Sequence, residues 1–388
     1  MRRDPVCGMA GVIERHGRWF CSERCVREFE HRQSHHLPGT AEGGPPTHAG
    51  ALSALRQVVG DPWIWTPLSG IALATLGWWW PGAAAVSATY VGYLEKMLGP
   101  LMLGLLLGGV IEHVVPRAYI VHWLAGPRKR VIVRSTLLGF LASACSHGCL
   151  ALAVELYRKG ASTPAVVSFL LASPWASLSL TFVLLSLFGW KGFVVVGAAL
   201  VIAFITGILF QRLAERGLIE RNPYTGTQEP LAVWQDLRAR LSSYPWTVRQ
   251  LVADARGVMA GTIPLGRMVL GWVQLGLVLS SVLGGLVPHG IVERFFGPTF
   301  VGLVLTLVVA AVVEVCSEGT APIAFELYRQ TGALGNAFVL LMGGVVTDYT
   351  ELAVLWTAIG RRTVFWVLGI TLPLVVTVGL LLNRLGVH

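Results

Sequence analysis

The chain has 388 residues, of which 54% are hydrophobic and 13% charged, with a formal net charge of +9. About a quarter of an ordinary soluble domain is charged, so composition excludes a single water-soluble core of this size. The basic excess sits in the N-terminal segment and in short stretches between apolar runs, which marks a cytoplasmic membrane face and not a nucleic-acid surface.

Residues 1–36 are polar and hold Asp4-Pro-Val-Cys7-Gly-Met9, then Phe20-Cys21-Ser-Glu-Arg-Cys25, with Phe29 following. Cys21 and Cys25 are four apart on a predicted short helix. Together with Cys7 they suit one thiophilic ion, zinc or another soft or borderline metal. His16, His31, His35 and His36 are available as a fourth ligand. So short a segment cannot bury enough apolar surface to fold unaided, and a metal would organise it. A fixed zinc staple without a role in transport is the alternative. Residues 37–62 are rich in Pro, Gly and Ala and read as a flexible linker. No apolar run precedes residue 51, so no cleavable signal peptide is expected.

The remainder reads as an all-α polytopic membrane domain. It divides into a leading membrane segment (63–97), a first repeat (98–212), a central loop (213–263) and a second repeat (264–388). Stretches 192–210, 268–288 and 363–383 carry no Asp, Glu, Lys or Arg. Each matches the ~20 residues that cross a ~30 Å hydrocarbon layer, and counting such runs gives roughly eight to ten membrane segments. The charge-free run 160–190 contains Pro164 and Pro174. At about 46 Å it is too long for one straight span, so a broken helix or a hairpin is expected.

The repeat is explicit. CSHGCLALAVELYRKGA (145–161) aligns with CSEGTAPIAFELYRQTGA (316–333), placing Cys145 over Cys316 and Gly148 over Gly319. Gly126-Pro127 lies over Gly297-Pro298 at the same offset, and SFLLASPWAS (168–177) lies over FVLLMGGVVT (338–347). The first-copy loop 116–131 carries Arg117, Arg128, Lys129 and Arg130 without an acid, whereas its counterpart 289–297 has only His289, Glu293 and Arg294. The central loop is arginine-rich. By the positive-inside rule the first loop, the central loop and the N-terminal module are cytoplasmic and 289–297 is not, so the copies are expected to be inverted.

Chemistry concentrates at the repeat cores. Cys145 and Cys149 fall on one face if their segment is helical, with His147 between them; Cys316 lies between Glu314 and Glu318 and is followed by Gly319 and Pro322. Thiols favour Cu(I), Zn(II), Hg(II) or trivalent arsenic, so Cys145, His147, Cys149, Cys316 and Glu318 are the candidate substrate-binding residues. Packing of these cysteines as small apolar fillers is the alternative. Asp348, Glu351, Glu112 and His113 are candidates for ion or proton coupling, because ionisable groups are costly in lipid and face protein or water there. Glu155 and Glu326, each in a Glu-Leu-Tyr-Arg run, read equally as helix-end residues at the interface.

Residues 4–29 resemble the YHS/TRASH type of heavy-metal module, with 13 residues between Cys7 and Cys21. The region 98–385 resembles the predicted-permease family that includes organoarsenical efflux permeases and proposed copper/zinc exporters. In much of that family the first motif reads closer to CSCG-x-x-P. Here it is Cys145-Ser-His-Gly-Cys149, and the proline is kept only in the second copy as Pro322. The resemblance implies a multi-pass permease of a bacterial plasma membrane exporting a soft metal or metalloid, with the bilayer and that substrate as partners. Nucleic acid is not an expected partner, and self-association into a homo-oligomer is left open. No G-x-x-x-x-G-K-[ST] loop occurs, so no ATP hydrolysis, enzymatic activity or organic cofactor is expected. Two other readings remain: transport or channelling of another solute with a metal-sensing N-terminal module, and an intramembrane thiol redox enzyme using Cys145 and Cys149.

Overall fold

The computed structural model describes residues 13–15, 18–20, 62–114, 132–133, 135–136, 146–158, 160–175, 177–224, 247–313 and 316–385. The chain forms two compact units, Met1–Val59 and Gly60–His388. In the first, strands β1 (Ile13–Arg15) and β2 (Arg18–Phe20) pair antiparallel, with Ile13 opposite Phe20 and Arg15 opposite Arg18. Cys7, Cys21 and Cys25 lie outside the described residues.

The second unit is helical. Its described elements are α1 (Pro62–Trp79), α2 (Ala84–Val114), α3 (Ser146–Arg158), α4 (Thr163–Ala172), α5 (Leu178–Phe188) and α6 (Lys191–Glu215). There follow α7 (Val248–Leu286), α8 (His289–Phe296), α9 (Phe300–Val313), α10 (Ser317–Thr331), α11 (Leu334–Thr347), α12 (Tyr349–Ala358) and α13 (Arg361–Arg384). Among the described residues five stretches are long and apolar enough to cross a membrane: Pro81–Val110, Lys191–Glu215, Val269–Leu286, Leu334–Ala358 and Arg361–Arg384. A sixth arises if α8 and α9, bent by 99°, count as one. The chain is an all-α, multi-pass membrane protein. Its outer surface exposes Phe193, Val201, Val308, Val312 and Phe365, as lipid contact requires. Trp78 and Trp79, both 85% exposed, cluster with Trp80 at the α1–α2 turn in the manner of an interfacial aromatic belt.

Among the described residues several apolar runs fold as short helices that do not reach across a membrane singly. The 160–190 run is broken as expected. Pro164 sits in the first turn of α4, where its missing N–H is no loss, and Pro174 denies the next turn a donor. Ser177 then caps α5 by accepting the Leu180 N–H. At about 15 Å, neither half crosses the layer alone. All ten residues of α4 are buried, as suits a helix that is apolar on every side.

The repeat is structural as well as sequential. The starts of α3 and α10 (146 and 317), α4 and α11 (163 and 334) and α5 and α12 (178 and 349) are each 171 residues apart. Packing repeats with them: Gly207 of α6 abuts Ile132 and Ser168, and Gly379 of α13 abuts Leu303 and Val339. The equivalent helices α2 and α7 lie side by side and antiparallel. Gly109 meets Val258 and Thr262 at one end, while Gly285 meets Val86 at the other. Equivalent spans running in opposite directions are what inverted copies require. α2 runs unbroken across residues 97–98, and α7 begins at Val248, inside the stretch that composition assigns to the central loop.

Candidate functional site

Four short helices begin at the repeat cores. α3 starts at Ser146, and α5, α10 and α12 have Ser177, Cys316 and Asp348 as N-cap residues. The tertiary fold crosses them between copies: α5 packs on α10, and α12 on α3. Each start presents backbone N–H groups that lack an intrahelical partner, and the positive end of a helix dipole. Carboxylates in the first turn are favoured there, and Glu318 and Glu351 occupy those turns in α10 and α12.

The α5–α10 crossing is the better-defined half. The Cys316 Sγ–H points to Glu318 Oε2 at 3.3 Å, and the Ser179 hydroxyl of the other copy donates to Glu318 Oε1 at 3.3 Å. Glu318 is 2% exposed. The long helices clamp this crossing through glycines. A Cβ at Gly104 of α2 would collide with the Ser179 backbone, and one at Gly276 of α7 with the Gly319 carbonyl.

At the α3–α12 crossing, Asp348 Oδ1 accepts the Thr350 N–H at 2.8 Å, the Thr350 hydroxyl at 2.6 Å and the Glu351 N–H at 3.2 Å. Glu351 is 4% exposed, and its Oε1 has no hydrogen-bond partner among the described residues. Cys149 is fully buried in an apolar cluster of α3, α4, α12 and α13 that includes Phe169, Leu355 and Val364. Asp348 and Glu351 are thus related as cap and first-turn acid of one helix.

Helices that break at matching positions, cross between inverted copies and bury acids at the crossings have the architecture of a membrane carrier. The family model described as "Predicted permease" matches residues 83–384. The chain belongs to that family. It is 26% identical over 253 residues to the protein named "Putative permease Rv2963" of Mycobacterium tuberculosis, a match covering 60% of this chain and 60% of that protein's length. It is 23% identical over 284 residues to the "UPF0718 protein YcgR" of Bacillus subtilis, covering 72% of this chain and 90% of that protein. No solved structure matches. Membership points to a transporter and away from an enzyme.

In this permease the sequence-nominated residues separate into groups. Cys316 and Glu318 are brought together. Cys145 and the side chains of His147 and Glu112 lie outside the described residues. His113 joins Asp254 at 3.2 Å and rests against Gly257, linking the end of α2 to the start of α7. Among the described residues no three His, Cys, Asp or Glu side chains are grouped to hold a metal ion.

Ser179 escaped sequence reasoning. Its only signal was its position five residues after Pro174, at a predicted break. Glu326 is fully buried within the protein, where it accepts from Arg329 Nη2 at 2.7 Å, Arg329 Nε at 2.9 Å, Gln330 at 2.7 Å and the Tyr93 hydroxyl. This satisfied ion pair ties α10 to α2 and makes no opening for a substrate.

Proposed function

We propose that this permease exports a soft metal or metalloid species (copper, zinc, mercury or a trivalent arsenical) across a bacterial plasma membrane without hydrolysing ATP. The observation that carries the reading is the Cys316 thiol held against buried Glu318 at the start of a half-helix, with Ser179 of the other copy on the same carboxylate. A thiol beside a carboxylate offers a soft donor together with a base for its proton. Cys145, His147 and Cys149 form the matching set of the first copy, since positions 145 and 147 are equivalent to Cys316 and Glu318. Asp348, Glu351, Glu112 and His113 form the coupling set, in which Asp348 acts by holding the turn that carries Glu351. Cys7, Cys21 and Cys25 bind one thiophilic ion in a cytoplasmic N-terminal module that delivers or senses the substrate. The belonging of the chain to a permease family supports the transport class.

The test is the initial transport rate per folded molecule for Cys145→Ser, Cys149→Ser and Cys316→Ser in proteoliposomes, with arsenite, zinc and copper(I) as probes. Serine keeps the volume and replaces a soft donor by a hard one, so rates should fall sharply at normal protein level. Wild-type rates per molecule in all three variants would overturn the thiol site. Reduced expression with a normal rate per molecule would instead assign the cysteines to packing.

A further inference from the structure

We propose that Glu351 is the proton-carrying group of this permease, and that Asp348 is a positioning residue that holds the first turn of α12. The inference rests on the transport reading above and adds to it a division of labour between two neighbouring acids. Glu351 is 4% exposed, and among the described residues its Oε1 meets no donor. Burying an ionised carboxylate without a partner is costly, so this side chain is carried neutral and gives up its proton only when water reaches it.

The other copy shows that packing does not need an acid there. The position 171 residues earlier is Leu180, which is fully buried in the core. The scaffold therefore accepts an apolar side chain where the second copy places a carboxyl. Asp348, by contrast, repeats a structural device: Ser177, at the equivalent position, also caps its helix by accepting a backbone N–H. Asp348 Oδ1 is already shared among three donors.

α12 packs against α3 and α13. The ionisable residues on those elements are His147, Cys149, Glu155, Tyr157 and Arg158 of α3, and Arg361 and Arg362 at the start of α13 with Arg384 at its far end. α11, which leads into the break, has no ionisable residue, and Tyr349 beside the cap is 67% exposed. In each cycle Glu351 would take one proton from water on one side and release it to water on the other. No electron moves, and substrate crosses in the opposite direction.

The experiment uses the full-length permease in lipid nanodiscs and infrared difference spectra between alkaline and acidic conditions. A deuteration-sensitive carboxylic C=O band is expected in the wild type, lost in Glu351→Gln and kept in Asp348→Asn and Glu318→Gln. A band unchanged in Glu351→Gln overturns the proposal. In proteoliposomes with arsenite, zinc and copper(I) as probes, Glu351→Gln should keep substrate counterflow and lose uptake driven by an imposed pH gradient. Asp348→Asn should lower both in step with its thermal stability. Wild-type gradient-driven uptake by Glu351→Gln would equally overturn the assignment. If the wild type moves none of the probes, the transport reading fails, and the infrared comparison still decides whether Glu351 is the titrating acid.

Discussion

The α5–α10 and α3–α12 crossings are built on one backbone plan and carry different chemistry. Helix starts coincide at an offset of 171 residues, and the N-cap role falls on Ser177 in one copy and Asp348 in the other. Beyond the caps the copies diverge: the offset of 171 set by the helix starts moves the 168–177 pairing by one residue from 338–347 to 339–348, so Leu180 stands opposite Glu351, and His147 stands opposite Glu318. Capping and close helix contact are demands of the fold and recur. Acids and thiols serve the cargo and need not recur, so the position where one copy is apolar and the other ionisable separates function from architecture.

The largest expected effect tests whether the two clamps are mechanically equivalent. Gly276→Ala would drive a methyl group into the Gly319 carbonyl, and Gly104→Ala would press on the Ser179 backbone. Each should cost about 1–3 kcal/mol, the usual range for overpacking against backbone that cannot move aside. Thermal unfolding in detergent measures this. A neutral Gly276→Ala would show that the α7–α10 approach is looser than described.

A smaller effect separates the caps. Asp348→Ala and Ser177→Ala should each lose about 1 kcal/mol, with the loss greater for Asp348, which accepts three hydrogen bonds. Equal losses would mean that the acid's extra bonds contribute nothing net.

The smallest effect concerns the equivalent helices α6 and α13. α6 has Trp190 as its N-cap residue and no side-chain cap, whereas α13 is capped by Glu220, which accepts from Arg362 N–H at 2.9 Å, Thr363 N–H at 2.9 Å and the Thr363 hydroxyl at 2.8 Å. Burial pushes the Glu220 carboxyl up, but the Thr363 hydroxyl and the Arg362 and Thr363 N–H groups outweigh it, leaving it below the usual glutamate value. A depressed value in the fold means a stabilisation present above the unfolded-chain value of about 4.3 and lost as pH falls through the folded one. The stability gap between wild type and Glu220→Gln should therefore close on acidification, as read by unfolding across a pH series. A gap that stays constant would assign Glu220 to packing alone.

Local pattern determined much of this protein. Run length and the lack of charge marked the 191–215 and 361–384 helices as spans, because crossing a hydrocarbon layer requires a contiguous apolar stretch. Pro164 and Pro174 marked the break in 160–190, because proline lacks a donor wherever it falls. Cys145 over Cys316 located the repeat cores, and Glu318 was found beside the second of them. Only the tertiary structure decided the partners. Ser179 meets Glu318 across 139 residues of chain, Tyr93 meets Glu326 across 233, and among the described residues Glu351 meets no donor for Oε1 although its sequence neighbourhood is as polar as that of Asp348. Spacing along a helix says which face a side chain shares, but which other helix lies opposite that face is set by how the two copies cross.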